Sequence, residues 1–395
     1  MTSLTPPVIQ SLTPSSRFRA SAMYFIFFSA VAAIAPYLVL YYRSLGFSGS
    51  QVGLLLSIGP LIGLVASPFW TGYADSVGRH LTILIMALFS GMVIYALFPF
   101  LQGFGLVLAA ASLLAFLTAP VFALLDSSTV YMLGNEKDRY GRIRLWGTIG
   151  WGISAPIVGE VLERYGLSWM FWIYSALIFI DIFFVRYQKF DTVSVRQPYW
   201  QGLRLVLGNP AWIMFLVGAF VTTFGLAAHG SYLSLLLEDM GARRTLLGVT
   251  ITVSTIFEVP VMIYSSTLLR RFGNRGLMFI ALGTTALRSF LYSIIGGPGW
   301  VIGLQVLHGL TYPALWLAGV NFAADHAPPG FKASTQALFG AVQGALGGAA
   351  GNMLSGYLID RSGVQGMYAT ISLLLFVSLG VLLLANRRVG RELRG

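Results

Sequence analysis

The sequence contains no cysteine. Disulfides, thiolate metal centres and a cysteine nucleophile are therefore excluded. Charge is also scarce, at 10% of 395 residues, where a soluble domain carries about a quarter. So few charges cannot cover a water-facing surface, and the composition points instead to a polytopic membrane protein. The net charge of +11 could suggest a nucleic-acid partner. The cations, however, lie in short connections between apolar runs, which argues for a membrane and against nucleic acid. A Walker A sequence is absent, which argues against an ATP-driven pump. Metal-spaced His/Glu pairs and a nucleophile triad signature are absent as well, so neither an enzyme, a metal site nor a cofactor is expected. Residues 1–20 are rich in Ser, Thr and Pro without a cleavage-type core, and read as a polar tail before a retained first span.

What is present is hydrophobic, at 56% of the chain. A membrane span needs about 20 apolar residues. Twelve such runs occur, near 21–42, 50–72, 80–99, 104–132, 140–159, 168–186, 210–237, 245–269, 276–296, 300–324, 332–357 and 365–386. Turns such as "GFSGS", "QGFG" and "GGPG" separate several of them, so consecutive helices run antiparallel. The polar stretch 187–209 sits midway and reads as a linker between two six-helix bundles, 21–186 and 210–386, with a short tail at 387–395. One side of the membrane collects only Arg43, Arg164, Arg243, Arg244 and Arg361. The other holds Arg17, Arg19, Arg79, Lys137, Arg139, Arg142, Arg186, Lys189, Arg196, Arg204, Arg270, Arg271, Arg275, Lys332 and the four arginines of the C-terminal tail. The bias predicts both termini in the cytoplasm, with a bacterial inner membrane as the setting.

The halves echo one another. "GEVLERYGLSWMF" (159–171) matches "GYLIDRSGVQGMY" (356–368) at an offset of 197, and "LTAP" (117–120) matches "LTYP" (310–313) at an offset of 193. Tandem halves imply a pseudo-two-fold axis along the membrane normal, with a site between the halves at mid-depth.

"GYADSVGRH" (72–80) resembles the G-x-x-A-D-x-x-G-R signature of the major facilitator superfamily. The resemblance implies that fold: an all-α polytopic membrane protein of twelve helices in two pseudo-symmetric bundles. It gives Asp75 a gating role across the half interface, Gly72 and Gly78 a tight turn, and Arg79 a supporting charge. "GRIRLWGTIGW", "ALRSF" and "LHGLTYP" are similar to the branch of lactose permease-type sugar and nucleoside symporters and their phenylpropionate permease-like relatives. In that pattern an acid follows the helix-10 histidine by three residues. Here Thr311 stands there, so proton coupling falls to Glu258 or Asp126.

Charged side chains at mid-membrane are costly, about 2.5–3.5 kcal/mol on insertion scales, so each is a functional candidate. They are Asp126, Arg144, Asp181, His229, Glu258, Arg288 and His308. Antiparallel helices put residues equidistant from a turn at equal depth. Asp126 and Arg144 each lie nine residues from Asn135, Arg288 and His308 ten from Pro298, and Glu258 and Arg288 fifteen from Gly273. An Asp126–Arg144 pair is expected, either as a staple between helices or as a bidentate partner for hydroxyl groups, the role that the resemblance implies. Trp151, two turns beyond Arg144, is either a packing residue or a ring platform for the solute. The glycines at 147, 150 and 152 suit close helix packing. A second cluster of Glu258, Arg288 and His308 is expected, with Glu258 as a proton carrier. His308, Thr311, Tyr312 and Leu315 are placed on one helix face, and Gln336 and Gln343 along another. His229 is either near this cluster or packing, and Asp181 snorkels or pairs locally.

These features predict a secondary transporter working by alternating access, as a monomer among membrane lipids. The first expectation is a proton symporter for a small polar solute, with sugar or nucleoside ahead of aromatic carboxylate. Drug or amphiphile efflux, uncoupled facilitation, and a sensor or lipid-handling role are the alternatives.

Overall fold

The computed structural model describes residues 14–133, 139–188, 190, 208–327 and 331–392. Most of the expected linker 187–209 and the outermost parts of both expected tails lie outside them. The helices are α1 (Ser16–Ser44), α2 (Gly49–Val77), α3 (His80–Phe100), α4 (Phe104–Leu133), α5 (Tyr140–Tyr165), α6 (Trp169–Val185), α7 (Pro210–Asp239), α8 (Arg244–Ile263), α9 (within Ser265–Ile294) and α10 (Pro298–Asp325). A last apolar stretch, Ser334–Asn386, is bent at Gly363 into α11 and α12. Helix Ser265–Ile294 bends likewise at Gly273 (φ 65°), so its first turns prolong α8 and the remainder is α9. Polar ends set the boundaries. Ser48 and Gln51 form a capping box at the start of α2, and Asn209 caps α7 with Pro210 in the first turn.

Several spans are broken inside the membrane. Pro120 has no amide to continue α4, which runs Phe104–Thr118 and resumes at Val121–Leu133. The carbonyl that this proline strands, that of Phe116, accepts Trp70 Nε1 at 2.9 Å. In α10 the segment Gln305–Leu310 is 3₁₀, and Thr311 departs from helical geometry (φ −102°, ψ −99°) just before Pro313. The breaks fall in the repeat-related "LTAP" and "LTYP", which gives that echo a physical meaning. Residues Ala341–Gly347 of α11 wind as a π-helix.

Helices α1–α6 and α7–α12 form the two halves, which meet where α2 packs on α11 and α5 on α8. The face where α1 begins and α12 ends is called the terminal face below, and its opposite the far face. Inter-half hydrogen bonds among the described residues cluster towards the far face. Asp360 accepts the backbone amides of Gly49 and Ser50 and the Ser50 hydroxyl, capping the start of α2 from the other half. Reciprocally, Glu163 accepts the Arg244 amide at 2.9 Å and Glu160 the Thr245 hydroxyl at 2.8 Å, at the start of α8. Glu163 and Asp360 are counterparts in the 197-residue repeat. Their partners are helix N-termini, whose free amides and dipole favour a carboxylate. Burial pushes the Asp360 carboxyl up, but the Ser50 hydroxyl, the two amides and Arg43 outweigh it and hold the group below its ordinary value. Glu160 is likewise held low by Thr245, then Arg164. Glycine makes the close approach possible. A Cβ on Gly356 would strike the backbone of Gly49, and one on Gly248 the backbone of Ala155 and Pro156.

Candidate functional site

In the first half the site is built on α1, which packs against α5. Tyr24 Oη donates to Asp126 Oδ1 at 2.6 Å. The Arg144 guanidinium lies over the Phe28 ring at 4.0 Å and the Tyr24 ring at 5.6 Å. Asp126 and Arg144 are thus neighbours of one tyrosine, and the expected direct pair does not form. Equal depth was correct, but α1 stands between the two side chains. Gly147 clears the space for this, since a Cβ there would meet Phe28 and the Arg144 Nη1. Gly150 lies against the Phe25 carbonyl of α1, and Gly152 faces Thr255 of α8, as expected of packing glycines. Arg144 makes no hydrogen bond among the described residues. Its charge is held by ring faces, which attract cations but leave every N–H free. Trp151 is half-buried.

The second half holds a continuous polar network. Arg288 is 1% exposed. Its Nη1 reaches His308 Nδ1 and Thr311 Oγ1, each at 3.2 Å, and its Nη2 reaches Tyr292 Oη and Gln305 Oε1, each at 2.9 Å. Gln305 Nε2 donates back to Tyr292 Oη at 2.9 Å, and Ser254 Oγ donates to Gln305 Oε1 at 2.7 Å. On the cleft side, His308 Nε2 lies 2.9 Å from Glu258 Oε1. The expected trio is brought together, with His308 in the middle and no direct Glu258–Arg288 contact. Arginine can only donate, so His308 Nδ1 accepts and the ring hydrogen resides on Nε2, directed at Glu258. The Glu258 and His308 side chains are 30% and 24% exposed, so both are reachable from the cleft.

Tyr292, Gln305 and Ser254 were missed in the sequence, because neutral polar residues give no charge signal within an apolar run. Tyr292 lies one turn from Arg288, and Gln305 one turn from His308; those spacings were the available clue.

Other expectations are corrected. His308, Thr311, Tyr312 and Leu315 do not share a face: Thr311 and Leu315 are fully buried, while Tyr312 is 41% exposed. The 3₁₀ segment and the break at Thr311 rotate the register of α10. The Thr311 hydroxyl is occupied between Arg288 and the His308 carbonyl. Gln336 is exposed and Gln343 is 5% exposed. The two thus differ in burial, and the winding changes from α to π between them, at Ala341. Asp181 neither snorkels nor pairs: it is fully buried, and neither carboxylate oxygen has a partner among the described residues. His229 sits behind the network, 2.8 Å from Ser289 Oγ and edge-on to Tyr292.

At the terminal-face end of α2, Asp75 pairs with His80 at 2.8 Å rather than across the half interface. The imidazole stacks on Phe190. Gly78 (φ 64°) makes the turn by itself. Gly72 lies inside α2, so its expected part in that turn is overturned. Arg79 is exposed. Arg144 and Glu258 stand on α5 and α8, the two helices that pack across the half interface with Gly152 against Thr255.

Comparison with known proteins bears on this arrangement. A maltose permease of Geobacillus stearothermophilus is 25% identical over 368 residues, covering 92% of this chain and 93% of the relative. An uncharacterised transporter, YwbF, of Bacillus subtilis strain 168 is also 25% identical over 368 residues, covering 91% of each. The crystal structure of the nucleoside transporter NupG superposes with a TM-score of 0.81 at 16% identity, over 93% of this chain and 98% of that one; at that identity the likeness concerns the fold. The model of the MFS_1 like family matches residues 18–370, which include both halves of the cleft from Tyr24 to Gln343. The chain therefore belongs to that family and is a multi-pass membrane transporter of the major facilitator type.

Proposed function

We propose that the protein is a proton-coupled symporter that takes up a small polar organic solute, a sugar or nucleoside, by alternating access. The observation that carries this reading is an unbonded guanidinium, Arg144 on α5, on one side of the half interface and a partly exposed Glu258–His308 pair on the other, where α8 packs on α5. Arg144, steadied by Phe28, offers free donors to solute oxygens, with Asp126 and Tyr24 beside it as a second polar group. Glu258 takes the coupling proton, while His308, pinned by Arg288, senses whether that carboxylate is charged. Tyr312 closes the cleft opposite Arg144. The names of relatives that handle maltose and nucleosides favour the same substrate class. An aromatic carboxylate is less well supported, because Arg288 spends its Nη donors on protein partners.

With both termini in the cytoplasm, the bonded far face is the outer one and the cleft opens inward. The protein would act as a monomer in a bacterial inner membrane. Asp75, Gly78 and Arg79 would close the terminal face when the far face opens, with Asp75 exchanging His80 for a partner in the other half. A transport assay in proteoliposomes tests the reading. A pH gradient, inside alkaline, is expected to drive accumulation of a sugar or nucleoside found by thermal-shift screening. Accumulation that ignores the gradient would replace symport by facilitation.

A further inference from the structure

A half-open cavity of about 510 Å³ is walled by α1, α2, α3, α4 and α6 of the first half. Its walls are apolar except at Thr118 and at three tyrosines, Tyr42, Tyr95 and Tyr174. Tyr42 is 2% exposed and Tyr174 is 7% exposed. Among the described residues none of the three hydroxyls has a hydrogen-bond partner in the protein. The three oxygens are not sealed in the protein but open to the space they line, so they offer a ligand there hydroxyls that no protein group occupies. Two of the rings are direct neighbours: Tyr95 lies edge-on to Tyr174 at 4.6 Å.

A second observation is independent. Gly59 and Gly63 of α2 line this cavity, and a Cβ on either would meet nothing within 4 Å. A mid-helix glycine costs about 1 kcal/mol relative to alanine. At Gly150 and Gly356 that cost coincides with close packing, whereas at other helical glycines, Gly72 and Gly230 among them, nothing lies within 4 Å. At 59 and 63 it coincides with open volume. The cavity also adjoins the polar cleft. Phe122 lines it and touches Phe28 at 5.8 Å and Phe27 at 5.2 Å, and Phe28 carries Arg144. The break of α4 at Pro120 falls on this wall, between Thr118 and Val121.

We propose that this cavity receives an uncharged, apolar arm of the transported solute, alkyl or aryl, while the polar head rests at Arg144. This rests on the reading of Arg144 as the head-binding group. The solute class is thus an amphipathic one: a hydroxylated head bearing a hydrocarbon arm.

The test uses the full-length protein in lipid nanodiscs and n-alkyl β-glucosides from methyl to hexyl. The matching n-alkanoates provide a second head, and the n-alkanols a headless control. Partition into empty nanodiscs is subtracted. Affinity within a headed series is expected to rise about fourfold per methylene, as apolar burial predicts, until the cavity is full. Gly63→Leu, and independently Ala115→Leu from the opposite wall, should flatten that slope while the unfolding midpoint stays unchanged. Arg144→Ala should weaken every headed member by one common factor and leave the slope. A slope that survives both filling variants would overturn the proposal, as would the absence of binding in both headed series. Alkanols binding as tightly as headed ligands would reassign the cavity to lipid chains. An intact, fillable slope with no effect of Arg144→Ala would keep the arm site and retire only the head site.

Discussion

Glu258 Oε1 lies 2.9 Å from His308 Nε2, and the opposite nitrogen of that ring is held by Arg288. The carboxylate therefore receives the one movable hydrogen of a ring whose other nitrogen is blocked by a permanent donor. Protonation of Glu258 on Oε2 would leave Oε1 accepting but turn a charge-assisted hydrogen bond into a weaker neutral one. Under the proposed coupling, a proton would in this way loosen the contact between α8 and α10.

Glu258→Gln removes the titrating group but retains its shape. Solute exchange across proteoliposomes should continue, while accumulation driven by a pH gradient should vanish. Gradient-driven accumulation in the variant would place coupling elsewhere.

Arg144→Ala should lower solute affinity by about 10- to 150-fold, as for the loss of one or two charge-assisted hydrogen bonds of ~1.5–3 kcal/mol in all. The fold should be unaffected, because Arg144 has no hydrogen-bond partner in the protein. Isothermal titration and thermal unfolding on one sample check both halves of the statement.

Arg288→Ala should behave in the opposite way. It strands His308, Thr311, Tyr292 and Gln305 in a buried setting. A buried polar group left without its partner typically costs about 1–3 kcal/mol. A large fall in unfolding temperature is expected before any assay of transport, and an unchanged midpoint would contradict the network described above.

Asp360→Asn and Glu163→Gln should each loosen the far face, and the double variant should open it further. Label distances across α2 and α11 are the readout, and the cysteine-free chain is a clean background for them. The pH dependence follows from the depressed state of Asp360. A carboxylate held low in the closed form stabilises that form above its free value of about 4, and the contribution is lost as pH falls through the held value. Closure of this face should therefore be insensitive to pH near neutrality and weaken only below about pH 4. Opening between pH 6 and 8 would show that another group controls it.

Gly356→Val should act on the same face by bulk alone, because its Cβ would strike the Gly49 backbone. A shift towards the open form is expected, with helix content unchanged by circular dichroism.

The twelve spans and the two-fold repeat were legible because apolar length and turn chemistry are local properties. Depth was legible too. Counting from Asn135, Pro298 and Gly273 placed Arg144 level with Asp126, and Glu258 level with Arg288 and His308. Azimuth was not. Whether Asp126 faces Arg144 or Tyr24 depends on α1 packing against α5, a contact far apart in sequence. Face assignments failed where the helix changes its pitch, at Thr311 and in Ala341–Gly347, since an assumed 3.6-residue turn does not survive 3₁₀ or π winding. The neutral partners Tyr292 and Gln305 remained hidden because nothing in an apolar run distinguishes a bonded tyrosine from a packed one.

The interruptions at Pro120 and Thr311 divide α4 and α10 into shorter rods joined end to end. A continuous helix transmits a push along its whole length, whereas a jointed one can tilt one segment and leave the other in place. The terminal-face segments of α4 and α10 can therefore swing while their far-face segments stay packed. Compliance is concentrated at two joints in equivalent positions, and each half can bend without any of its other helices having to melt.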